Sequence, residues 1–273
     1  MFAQVISRSL WRFYDALGRL LLANLIWFAA TAPLCAAVVF FARVFDPPLS
    51  TVVLASVVSV AFLNPASFAL GEMTQRLAET GDTDLATFWS GLRQHAVRAV
   101  LIMSVDALAT SVLGMSLLFY GNATLASLGT IGNYAATGLT IWAALFLGAM
   151  SLYWVPVGVG LPGRSPRVGF TIKRSALLVL EAPGLSAGVL LLTVVSTLFW
   201  VGTVLGAFAF WMSFERVLHA EARQILRERY DAVVRLRNRG ESPTRVAVRA
   251  ELQRVWADQP KRRLKELLRP WDA

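Results

Sequence analysis

The stretch VLIMSVDALATSVLGMSLLFY, residues 100–120, decides how the rest of the chain is read. It is almost uninterruptedly apolar over the roughly 20 residues that a helix needs to cross a bilayer. It also carries one carboxylate, Asp106. From Ala107 to Gly163 there is no Asp, Glu, Lys or Arg, and residues 20–42, 47–71 and 182–214 are likewise uncharged. A soluble helix needs a polar face, and these windows have none. Over all 273 residues, 56% are hydrophobic and 16% charged, against about 25% charged in an ordinary soluble domain. The fold class expected is all-α, a polytopic membrane helical bundle.

The apolar windows place spans near 20–42, 49–71, 99–120 and 134–159, followed by 184–214. The last window would make a helix about 46 Å long, against a hydrocarbon core of about 30 Å. It is one over-long helix, giving five spans, or two short ones in a hairpin turning near Gly202 to Gly206, giving six. Cytoplasmic loops collect Lys and Arg. The basic residues number three in 1–19, one at Arg43, three in 72–98, four in 161–175 and fifteen in 215–273. Six spans with both termini cytoplasmic leave Arg43 alone outside; five spans with the same start also move the C-terminal fifteen outside. Six spans are therefore expected, with Trp200 and Trp211 as interface anchors. The lone Cys35 excludes an intramolecular disulfide. APLCAA around it is similar to a lipoprotein cleavage site, but Leu34 is too large, and the uncharged run exceeds a signal-peptide core of roughly 7–15 residues. The segment reads as a retained span.

Each hairpin is preceded by a basic amphipathic segment on the cytoplasmic side: 2–19, 83–98 and 167–182. In the second, Leu85, Phe88, Trp89, Leu92 and Ala96 make the apolar face, with Arg93 and His95 projecting elsewhere. Such helices lie in the headgroup plane or pack as connectors under the bundle. After Phe214 the composition changes: residues 215–273 hold nine acidic residues against the fifteen basic ones. Leu218, Ala222, Ile225, Leu226, Tyr230 and Val233 mark a helix ending near Gly240. Ser242-Pro243 reads as the start of a second helix with Val248, Leu252, Val255 and Trp256. Pro260 starts a third. The expected organisation is an N-terminal amphipathic segment (1–19), a transmembrane bundle (20–214) and a cytoplasmic basic helical tail (215–273). No zinc-ligand pattern or RNA motif accompanies the tail. Its partner is expected to be the anionic inner leaflet or a protein, not nucleic acid.

The stretch LWRFYDALGRLLLANLIWFAATAP (10–33) resembles the start of the YesL-like family of small bacterial integral membrane proteins of undetermined activity. Asn24, Leu25, Trp27 and Pro33 carry the likeness. NPASFALGEMTQRLAETGDTDLATFWSGLR (64–93) is similar to a second family feature through Asn64, Pro65, Ala66, Ala69, Leu70, Arg76, Phe88 and Trp89, and KRSALLVLEAPG (173–184) to a third. The chain departs from the pattern in the 30 residues separating Pro33 from Asn64 and in its long tail. The resemblance implies a bacterial inner-membrane protein associated with carbohydrate uptake, and it defines no catalytic residues.

The two histidines, His95 and His219, stand in no metal-ligand spacing. There is no nucleophile elbow and no phosphate-binding loop. No catalytic residue, metal or cofactor is expected. What remains is Asp106, about 10 Å down its helix. An intramembrane carboxylate costs about 2.5–3.5 kcal/mol to insert and should face the bundle interior or a wet cavity. Asn24, at similar depth in the first span, is its best candidate partner. Gly129, Gly132, Gly138, Gly148, Gly158 and Gly160 suggest close packing around the fourth span, within the bundle or between copies. Two functions remain open: a non-enzymatic accessory or scaffold protein, serving a carbohydrate-uptake permease as the resemblance implies, or a small secondary transporter with Asp106 in its path.

Overall fold

The computed structural model describes residues 1–45, 49–122, 129–160, 167–203, 206 and 209–257. Among the described residues the structure is helical, with no strand: α1 Phe2–Asp15, α2 Leu17–Phe45, α3 Leu49–Thr80, α4 Leu85–Asn122, α5 Gly129–Val159, α6 Val168–Glu181, α7 Pro183–Gly202, α8 Trp211–Asn238 and α9 Arg245–Ala257. Among the described residues three helices are long and apolar enough to cross a membrane, within Leu85–Leu117, Ile131–Val159 and Pro183–Trp200. A fourth candidate joins α1 to Leu17–Thr31 of α2 across a bend of 88°. The side chains of residues 49–64, including Asn64, lie outside the described residues, as do the predicted helix at Pro260 and the rest of 258–273.

The helices pair in antiparallel succession. Arg19, at the start of α2, reaches Asp82 and Thr83 just beyond the end of α3. His95 Nε2 near the start of α4 lies 3.1 Å from Glu72 Oε2 on α3, and Arg98 donates to the Gly158 carbonyl near the end of α5 at 2.6 Å. Close packing needs small residues at these crossings. A Cβ on Gly71 of α3 would fall 2.1 Å from Val155 Cγ1 of α5, and one on Gly158 would fall 2.7 Å from Phe68 Cε1. Of the predicted glycine cluster, Gly158 is thus a true contact, whereas Gly138 faces open space.

Three expectations are corrected here. Residues 83–98 do not form a separate amphipathic helix; from Leu85 onward they are the first turns of α4. Their inward face is also rotated, because His95 is buried while Trp89 is 49% exposed. Nor does 214/215 divide bundle from tail. The apolar run 184–214 breaks after α7, but its return arm is the beginning of α8, which continues without interruption to Asn238. α8 packs against α1, α2, α3, α5 and α7, burying Val217, Leu218, Ala222, Ile225 and Leu226. The charge-rich composition that marked a tail is here the lining of a core. α8 stops where Gly240 adopts φ 74°, the left-handed conformation that glycine reaches at least cost. The next helix begins two residues later than the sequence suggested: the Ala247 N–H donates to Thr244 Oγ1 at 3.2 Å, so Thr244 is the cap.

Candidate functional site

The first half of α8 carries Ser213, Glu215, Arg216, His219 and Glu221, all buried. A buried polar group costs free energy unless it finds a partner, and most of these find one on a neighbouring helix. Ser213 sits in the first turn of α8, where backbone N–H groups lack intrahelical partners. The residue before α8, Phe210, has no side chain able to cap it. Asn24 on α2 supplies the acceptor: its Oδ1 takes the Ser213 N–H at 3.0 Å, while Ser213 Oγ donates to the Leu20 carbonyl at 2.8 Å. Alongside, the Trp27 indole donates to Ser67 Oγ on α3 at 2.8 Å and stacks edge-on against Trp211.

α7 and α8 are joined by a ladder of polar pairs at one-turn spacing. Thr193 Oγ1 and His219 Nε2 lie 3.0 Å apart. One turn on, the Thr197 hydroxyl donates to Glu215 Oε1, which also accepts from Trp211 Nε1 at 2.8 Å. The signal was present as Thr-x3-Thr before the hairpin and Glu-x3-His after it, since residues four apart share a helix face. It went unread because Glu215 and His219 were assigned to a tail. Tyr153 OH and Ser186 Oγ, 3.0 Å apart, tie α5 to α7 in the same way.

Asp106 lies outside this ladder. The charge that acts on it is Arg216, whose field is shared by Asp106 and Glu215. Asp106 and Arg216 make no hydrogen bond or ion pair with each other, and Arg216 Nε is buried without a partner. Asn24 holds the start of α8, and the charge of Arg216 on the same helix acts on Asp106. Of the family-pattern residues, Trp27 and Phe88 are buried, Trp89 is half exposed, and Pro33 and Pro65 lie inside α2 and α3.

A second polar cluster gathers the basic segments at one end of the bundle. Arg8 pairs with Glu228 at 2.8 Å, and Glu228 also accepts from the Trp256 indole of α9 at 2.8 Å. Arg12 Nε lies 2.5 Å from Glu221 Oε1, a contact of charge without hydrogen-bond geometry. Glu221 is fully buried between Arg12 and Arg8, whose charges both act on it. Arg227 pairs with Glu79 at 3.1 Å. Among the described residues no group of three His, Cys, Asp or Glu side chains could hold a metal ion. Compared with known protein families, with characterised proteins and with solved structures, the chain matches none.

Proposed function

We propose that the chain is a non-enzymatic accessory or scaffold protein of a bacterial inner membrane, threading it six times with both termini in the cytoplasm. The observation that carries this reading is the commitment of polar side chains to other helices. Asn24, Thr193, Thr197, Glu215, His219 and Tyr153 are all engaged in bonds between helices. Groups held this way set the geometry of a bundle. On this reading the outlet for function is the end where α1, α8 and α9 meet, with α9 and the residues after it docking a partner protein. A carbohydrate-uptake permease or a second copy of the chain is the candidate, with anionic lipid beneath. Nucleic acid is not part of the proposal.

Asp106 supports a second reading, a small transporter, because it and Arg216 are opposite charges that are not locked by a hydrogen bond. Asp106→Asn decides between them. On the scaffold reading the variant keeps its fold and still co-purifies from native membranes with the same partners as the parent, identified by mass spectrometry. A variant that keeps fold and partners but loses uptake of a solute by vesicles overturns the scaffold reading.

A further inference from the structure

The sequence set three amphipathic segments against the headgroup layer, and the structure treats them differently. In α1 the cations are already paired: Arg8 with Glu228 and Arg12 with Glu221. The segment 83–98 is the entry to α4, and its Arg98 is held by the Gly158 carbonyl. In α6, Lys173 and Arg174 are exposed, and among the described residues neither makes an ion pair or hydrogen bond.

α6 has two unlike faces. One buries Thr171, Ser175, Leu178 and Val179. The other exposes Phe170 (57%), Leu177 (45%) and Leu180 (66%), with Lys173 and Arg174 between them and Glu181 at its end. A helix bathed by water on that side would place polar residues there. α6 is also fixed in depth. It follows α5 and is joined to α7 through Ala182 alone, and both neighbours are long and apolar enough to cross a membrane. It therefore lies at their common end, and the exposed Leu191, Val194, Val195 and Leu198 carry the apolar surface on along α7. Arg223 of α8 is opposed by the charges of Arg227 and Arg174, with Glu79 in compensation, and its buried Nη1 has no hydrogen-bond partner.

We propose that α6 is an in-plane helix of the headgroup layer, in which Lys173 and Arg174 bind the phosphate of an anionic glycerophospholipid while Phe170, Leu177 and Leu180 enter the acyl chains beneath it. Long basic side chains suit this role, since their stems lie along apolar surface while their heads reach the phosphates. The inference rests on the membrane-embedded part of the function proposed above and is independent of the scaffold part.

The test uses the full chain in nanodiscs of equal phosphatidylglycerol and phosphatidylcholine. Native mass spectrometry reads the lipids retained. The parent should retain phosphatidylglycerol preferentially. Lys173→Gln with Arg174→Gln should lower that preference by about tenfold, the order expected for two cations at a headgroup surface, and high salt should weaken it in the parent. In a Cys35→Ser background, a spin label at Leu177→Cys should report a depth just below the phosphates, and one at Leu108→Cys on α4 a depth among the acyl chains. An undiminished preference in the double variant, or a Leu177 label in water while the Leu108 label is in lipid, overturns the proposal. Both labels in water would instead overturn the membrane reading itself.

Discussion

Asn24 caps a helix that begins nearly two hundred residues after it. Because its Oδ1 answers a first-turn N–H of α8, Asn24→Leu should lose about 1–2 kcal/mol of stability, the scale of a lost cap. Ser213→Ala, which removes the hydroxyl but keeps the N–H that Asn24 accepts, should lose less. Thermal unfolding in detergent measures both. Asp106 was legible as the carboxylate of a long apolar run because charge and hydropathy are read directly from the residues. The Arg216 charge that acts on it was not, because which helix faces come together depends on tertiary packing that neither periodicity nor hydropathy encodes.

At the scale of the element, glycine separates contact from mere composition. Gly71→Ala should destabilise by roughly 1–3 kcal/mol, since the new Cβ would overlap Val155 Cγ1 and a valine in a helix has little freedom to turn away. Gly138→Ala meets nothing within 4 Å and should be neutral or gain up to about 1 kcal/mol from helix propensity. Equal effects in thermal unfolding would contradict the packing described for α3 and α5. The sequence singled out Gly158 and Gly138 alike and passed over Gly71, because a small residue announces that close approach is permitted, not that it occurs. The helices themselves were easier to read. Long apolar runs announced α2 to α5 and α7, and the stripe from Leu218 to Val233 announced α8. Its Glu and Arg residues then misdirected the reading, because hydropathy scores each residue as if it were alone and cannot foresee that Arg8 and Arg12 would meet Glu228 and Glu221.

Across the whole molecule, α2 and α3, α4 and α5, and α7 and α8 run as antiparallel pairs, and the described basic segments collect at one end. If that end is cytoplasmic, reporter fusions at Met1 and Ala273 should both give a cytoplasmic signal; a periplasmic signal at Ala273 would leave five crossings. The position of α8 bears on how the molecule is made. It is synthesised after α1, α2, α3, α5 and α7, yet it is the neighbour of all five. The earlier hairpins must enter the lipid before the helix that fills the space between them has been synthesised. Arg8, Arg12 and Asn24 therefore wait, unmatched by their final partners, until α8 has been made. A nascent chain stalled before Trp211 would leave those groups without the partners that hold them in the finished bundle.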